Sequence, residues 1–564
     1  MPDRDDDTEA NSSSENHSGG PAARPGVSFD EPKIIGQVVS VEGSRAAARL
    51  VGSEALLAAG LKSLQIGSLV KMHLDETTVF AMVKGLNIPE LAAAQSDAEI
   101  RIMELELVGE GVPGPGGGAE VFRRGVSFYP TLGDSVYAVN QDDLTRVYAQ
   151  PNVSAVKVGT IYQDRNLPAY VSVDDLLGKH FAVLGTTGSG KSCAVSTMLR
   201  AILSQHREGH VLLLDLHGEY GHAFTDFAEL LGAGEFSIPY WLLNFEELQE
   251  IVVEKTDDLE IDRSILREAV IHARKLFDES AEKNAAIDGD SPVPYRLQEV
   301  LRYLDSAVGK LDKPTGAAPY IRLRNRINAL LADRRFAFMF QEGYNVADDM
   351  AEILARLFRV PANGKPITIL DLSEVPSDIM KVVISLLCRM TFDFAYWAEG
   401  DTPVLLVCEE AHRYAGQLDG SGFDLTKRAL SRIVNEGRKY GVSLGIVSQR
   451  PSELDLGILS QCSTIFAMRM NNLKDQEYVR GTLSESGLGL IDALPSLRTG
   501  EAIVVGEGVS VPARVYLNLL PENQRPRSST AEFSKYWKEG AAKEGEGETS
   551  AVTNVVNRWR RQRR

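Results

Sequence analysis

The chain has 564 residues, 43% of them apolar and 24% charged, and a net charge of −18. That length exceeds what one hydrophobic core covers, so several domain-sized units are expected. The acidic balance excludes a uniformly basic nucleic-acid binder, although a ring can still gather its Lys and Arg on an inner surface. Cys193, Cys388, Cys408 and Cys462 are scattered without a CxxC pair, which argues against a disulfide framework or a structural zinc site.

Residues 1–27 are acidic and polar, lack the apolar core of a signal peptide, and are expected to be disordered in a cytoplasmic protein. From 28 to 165, short β-branched runs such as "KIIGQVVSVEG" and "SAVKVGTIY" recur between Gly and Pro joints, which predicts a small N-terminal β-barrel. The pattern then becomes strand, glycine loop, helix and strand over 166–222, the texture of an α/β domain. Residues 223–349 are dominated by helical periodicity and predict a helical insertion. Strands return at "PITILDLSEV", "TPVLLVCEE", "GVSLGIVSQRP" and "STIFAMRM", so the α/β core is expected to resume over 350–517. The apolar run at 379–398 contains Lys381, Arg389 and Asp393, so it reads as a packed helix and no membrane association is expected. Residues 518–564 form a C-terminal extension ending in "NRWRRQRR".

"GTTGSGKS", from Gly185 to Ser192, follows a strand and opens a helix, as the phosphate-binding loop requires. Gly185, Thr186, Thr187, Gly188, Ser189 and Gly190 would point successive backbone N–H groups at a triphosphate. Lys191 would reach its β- and γ-phosphates, Cys193 would add the next helical N–H, and Ser192 would ligate Mg²⁺. The chain therefore binds a nucleoside triphosphate, and ATP with Mg²⁺ is expected.

"VLLVCEEAH" delivers Glu409 and Glu410 side by side from a buried strand. Adjacent carboxylates repel, and the cation that reconciles them would be the Mg²⁺ of the nucleotide. Glu409 fits a metal-shell role and Glu410 a general base that polarises the attacking water. "LLLDLHGEY" puts Asp215, His217 and Glu219 at the C-terminal end of the strand after the P-loop helix, the edge where ligands of open α/β sheets sit; Asp215 is a further candidate for the metal shell, and a plain polar loop is the alternative for His217 and Glu219. Gln449 ends another strand and suits sensing of the γ-phosphate. Arg438 lies before that strand and could serve a neighbouring subunit, with Arg432 as its rival.

Taken together, "HFAVLGTTGSGKS", "LLLDLHGEY", "LLVCEEAHRY", "NEGRKYGVSLGIVSQRPSELD" and "LRTGEAIVVGEGVSVPARV" resemble the HerA family of hexameric DNA translocases, in the FtsK–HerA branch of RecA-like ATPases. The early "IIGQVVSVEG" and "YPTLGDSVY" resemble that family's N-terminal HAS-type barrel. The resemblance implies a RecA-like P-loop ATPase core and a homohexamer with ATP at subunit interfaces. Double-stranded DNA would lie in the pore, with Arg413, Lys427 and Arg428 of the segment 413–428 as candidate contacts. It also implies a NurA-like nuclease or another effector, including an antiphage one, as partner, and a C-terminal extension that braces a neighbouring subunit. Glu409 stands where the family usually has Asp, which places the metal geometry in question. Two other readings stay open at this point: an ATP-driven assembly switch, and a secretion or conjugation ATPase.

Overall fold

In the computed structural model, the residues described are 33–51, 64–75, 77–88, 100–114, 118–232, 237–253, 258–277, 286–309, 314–340, 346–417, 423–483, 487–527, 533–539 and 548–561. The acidic tail at 1–27 lies outside them.

Seven strands open the chain: β1 (Ile34–Glu42), β2 (Arg45–Leu50), β3 (Leu69–His73), β4 (Thr78–Asn87), β5 (Ile102–Gly114), β6 (Gly118–Arg124) and β7 (Ser135–Ala138). They pair in the order β2-β1-β7-β3-β4-β5-β6, and β2 also pairs with β5, which closes six of them into a barrel. Ile35, Val38, Ala48, Val70, Val79, Val83 and Leu105 fill its interior as a core of its own. Closure removes the exposed edges that an isolated meander would present.

The second sheet has eleven strands. They are β8 (Ala155–Ile161), β9 (Pro168–Ser172), β10 (Phe181–Leu184), β11 (Val211–Asp215), β12 (Ala228–Gly232), β13 (Ile367–Asp371), β14 (Val404–Cys408), β15 (Val442–Ser448), β16 (Thr464–Met468), β17 (Glu501–Gly506) and β18 (Ala513–Leu517). Their order is β12-β13-β11-β14-β15-β10-β16-β17-β18-β8-β9, parallel from β12 to β16 and antiparallel beyond. Every residue of β10, β11, β14, β15 and β16 is buried, as expected of parallel strands covered on both faces.

Two expected boundaries are corrected. The barrel does not run to 165, because β8 pairs with β18 and sends Val156 and Val158 into the core of the second sheet. Nor is 223–349 wholly helical: β12 adds a parallel edge strand beside β13, with Ala228 opposite Ile367.

The helices that matter below are α1 (Lys191–Gln205), α2 (Phe245–Val252), α3 (Leu259–Phe277), α4 (Leu297–Val308), α5 (Ala318–Ala332), α6 (Ser377–Trp397), α7 (Asp424–Glu436) and α8 (Glu548–Arg561). Within the insertion α3, α4 and α5 pack on one another, and α2 packs on α6. Glu247 ties that last contact: it closes the N-terminal cap of α2 with Asn244 and receives Arg389 and Ser385 of α6. No described helix is long and apolar enough to cross a membrane.

Candidate active site

The parallel strands all end at one edge of the sheet, and the loops that leave them there make the site. β15 stands between β14 and β10, so the paired glutamates and the P-loop face each other across one intervening strand end.

The P-loop needs its glycines for different reasons. Gly188 and Gly190 have φ of +75° and +101°, which only glycine adopts without strain. A Cβ at Gly185 would lie 2.8 Å from both Met468 Cβ and Ser189 Oγ. Neighbouring loops then hold the turn from outside. Thr186 N–H donates to the Arg469 carbonyl at 2.9 Å and Gly500 N–H to the Ser189 carbonyl at 3.1 Å. Thr499 Oγ1 and Arg469 Nη2 both donate to the Gly188 carbonyl, at 3.2 and 3.4 Å. Arg469 and Thr499 are positioning residues that sequence reasoning missed; no spacing rule links them to a loop nearly 300 residues away, although both follow or precede strand signals.

Lys191 is buried, with Nζ 3.3 Å from the Thr186 carbonyl. Burial lowers its pKa, while Glu410, Glu409 and Glu219 oppose that shift. Ser192 Oγ donates to Glu219 Oε2 at 3.0 Å. Glu219 thus stands against the hydroxyl expected to meet the metal, at the strand end where the sequence places it, whereas the plain polar-loop alternative does not hold for it.

Asp215 is fully buried, and its carboxylate accepts the backbone N–H groups of His217, Glu219 and Tyr220 at 3.3, 3.1 and 2.9 Å. It acts as the anchor of the loop that carries Glu219, and it lies close enough to Glu409 to influence that carboxyl. His217 is exposed.

Glu409 and Glu410 are both buried at the end of β14. Burial, then the negative charges of Asp215 and Glu219, push the Glu409 carboxyl well above the usual carboxylate range. Glu410 has φ of +48°, a left-handed conformation that costs a non-glycine residue energy. His412 Nδ1 lies 3.3 Å from Glu410 Oε2 and 3.3 Å from Ser448 Oγ, linking the glutamate to the end of β15. Gln449, the next residue, accepts a hydrogen bond from Thr187 Oγ1 of the P-loop. Thr186, Thr187, Gln449, Arg450, Glu453 and Asp475 line a cleft of about 380 Å³ beside it.

A divalent cation fits this donor set. Glu409 Oε2 and Glu410 Oε2 are buried oxygens without a hydrogen-bond partner among the described residues, and hard carboxylate and hydroxyl oxygens suit Mg²⁺.

Arg438 lies elsewhere. It sits in the turn Gly437–Tyr440 that enters β15, while Gln449 leaves it, so the length of β15, about 20 Å, separates them. Arg438 is exposed and has no ion-pair partner among the described residues. Arg432 is instead engaged within its own chain, 3.4 Å from Asp393 and stacked 4.0 Å over the Phe392 ring. Of the candidate DNA-facing residues, Lys427 pairs with Asp455 and Arg428 with Glu246, whereas Arg413 is exposed; 418–422 lie outside the described residues.

The family model described as the central domain of the helicase HerA matches residues 156–391. The chain is 27% identical over 444 residues to the DNA double-strand break repair helicase HerA of Pyrococcus furiosus, covering 71% of this chain and 75% of that one. It is 29% identical over 397 residues to the protein of the same name from Sulfurisphaera tokodaii, covering 69% and 74%. Among solved structures, VirB4 of Thermoanaerobacter pseudethanolicus matches with a TM-score of 0.45 and 16% identity, over 67% of this chain and 99% of that one.

Proposed function

Since the chain belongs to the HerA family and is an ATP hydrolase, we propose that it is a translocase of double-stranded DNA that works as a homohexameric ring and powers a partner nuclease or other effector. The observation that carries the reading is the split between the two ends of β15. Carboxylates, Lys191 and Gln449 gather at one end, while the exposed Arg438 lies at the other, beyond reach of its own P-loop. A second copy is needed to bring that cation to the γ-phosphate, and a closed ring supplies one to every site.

In this mechanism the P-loop amides and Lys191 bind the triphosphate, and Glu410 orients and deprotonates the attacking water. Mg²⁺, held by Ser192 and Glu409 with Glu219 alongside, would supply charge neutralisation at the β- and γ-phosphates. Gln449 relates the γ-phosphate to the P-loop through Thr187, and Arg438 of the adjacent copy stabilises charge on the transferred group. The DNA substrate and the repair setting are taken from the relatives' names; Arg413 is offered as a pore contact, and the C-terminal extension as a brace on the neighbouring copy.

The test is the ATP hydrolysis rate with and without duplex DNA. Stimulation by the duplex that Glu410→Gln abolishes supports a motor. A rate indifferent to DNA but changed by a protein partner would replace the motor with an ATP-driven assembly switch.

A further inference from the structure

The loops that leave β14 and β15 are joined side by side. Asp455 N–H donates to the Ala415 carbonyl at 2.8 Å, and Gln417 N–H to the Glu453 carbonyl at 3.0 Å. Nearer the site the join is made by the side chain of His412. The left-handed Glu410 leads into a 3-10 turn, Ala411–Arg413, and Arg413 N–H donates to the Glu410 carbonyl at 2.9 Å. That turn sets the His412 ring beside the carboxylate, and the two side chains are only 9% and 10% exposed.

His412 Nδ1 stands 3.3 Å from Glu410 Oε2 and 3.3 Å from Ser448 Oγ. Ser448 Oγ already accepts the Arg450 N–H at 3.1 Å. Where the ring hydrogen sits decides what this arrangement does. A bare Nδ1 takes the Ser448 hydroxyl and turns its lone pair partly toward the glutamate, so two electron-rich atoms face each other out of water. With its hydrogen on Nδ1, the ring offers the buried carboxylate a donor, and donors are what hold a buried anion. Glu410 also keeps a left-handed backbone that its surroundings must maintain, so its carboxylate has more need of an anchor than one on a relaxed strand end.

We propose that His412 is a positioning residue for ATP hydrolysis: its Nδ1–H anchors Glu410 Oε2 and thereby sets the direction in which Oε1 meets the attacking water. The inference rests on the reading of Glu410 as the general base. In that step the water gives a proton to Oε1 as its oxygen bonds to the γ-phosphorus, and the bond from that phosphorus to the leaving ADP oxygen breaks. The same ring is tied to Ser448, the residue before Gln449, whose side chain takes the Thr187 hydroxyl. The base is therefore aligned by the strand end that carries the γ-phosphate sensor. Hydrolysis depends on where that strand end stands, whereas the grip of the P-loop on nucleotide does not.

ATP hydrolysis by the full-length chain, followed as kcat and KM beside fluorescent-ADP affinity and melting temperature, tests this. His412→Ala is expected to lower kcat about tenfold to a hundredfold, the effect of removing a hydrogen bond to a charged group. KM and ADP affinity should stay within about twofold of wild type. His412→Asn, whose amide nitrogen falls near the position of Nδ1, is expected to recover most of the loss. His412→Gln, which reaches toward the position of Nε2, is not; a merely structural histidine would not separate the two amides. Added to Glu410→Gln, His412→Ala is expected to cost less than about a further twofold, because its route to the reaction is already gone. A kcat of His412→Ala within about twofold of wild type overturns the proposal. So do equal rates for the Asn and Gln variants, or a full additional loss in the Glu410→Gln chain. Should His412→Ala fail to fold, the Asn and Gln variants carry the test alone. If the wild type hydrolyses no ATP, or Glu410→Gln matches it, the general-base reading itself fails and the proposal with it. A slow Glu410→Gln beside a fast His412→Ala removes the proposal alone.

Discussion

At the scale of single residues, two side chains invite measurement. Glu219 touches Ser192 without itself being placed on the reacting atoms, so it acts by positioning. Glu219→Gln keeps the hydrogen bond but removes one negative charge from a cluster that already holds Glu409 and Asp215. The Mg²⁺ concentration for half-maximal hydrolysis should rise about tenfold, while binding of ADP measured without metal changes little. Equal metal requirements in the two proteins would leave Glu219 a loop residue.

His180 illustrates a different use of burial. It is 3% exposed, and its Nδ1 accepts the Leu444 N–H at 3.0 Å, so the ring is held neutral. Burial lowers its pKa from the ordinary 6.5, with a hydrogen bond to the Val434 backbone opposing. Between the lowered folded value and 6.5 the unfolded chain binds more protons, so stability rises with pH in that window. The contribution is complete above pH 6.5 and is lost as pH falls through the folded value, with a slope of at most about 1.4 kcal/mol per pH unit. Melting temperature should therefore drop more steeply below pH 6.5 in the wild type than in His180→Asn, which keeps an acceptor and tolerates the left-handed φ of +57°.

At the scale of elements, α2 depends on one carboxylate. Glu247 is 1% exposed, completes the cap of its own helix and pairs with Arg389 of α6 at 2.9 Å. Glu247→Ala removes a buried partner and leaves the guanidinium with Asp393 and the Leu242 carbonyl, a loss of about 3 kcal/mol. Amide exchange across Phe245–Val252 should accelerate about a hundredfold, and unchanged protection would show that apolar packing alone holds α2. Such ties explain what could be read from the chain and what could not. The P-loop, the paired glutamates and the apolar runs of β10, β11, β14 and β15 were legible because local spacing encodes them. The assignment of β8 to the core sheet was not, since Val156 and Val158 alternate like barrel residues and only pairing with β18 decides which core they enter. β12 was hidden by the helices around it. Glu219 was legible as a residue at that strand end, but its partner was not, because Asp215 folds the loop back over Ser192, a contact no linear pattern states.

At the scale of the whole molecule, one chain by itself does not bring all of the proposed catalytic groups together. A single chain holds the carboxylates, Lys191 and Gln449 at one end of the sheet and keeps Arg438 exposed at the other. If the cation acts on a neighbour, Arg438→Ala should lower hydrolysis on the order of 10³-fold while leaving ATP affinity nearly intact. Lys191→Ala should be inactive for the opposite reason, having Arg438 but no competent P-loop. Co-assembling the two inactive variants then creates interfaces in which an intact P-loop from one chain meets an intact Arg438 from the other. Random mixing in equal amounts yields such interfaces at about a quarter of positions in a closed ring. Single-turnover ATP cleavage, in which each interface reports by itself, should recover to about that fraction of the wild-type amplitude. A mixture no more active than its components would place the arginine's effect within its own chain, and Arg438 would then be a residue of the outer surface.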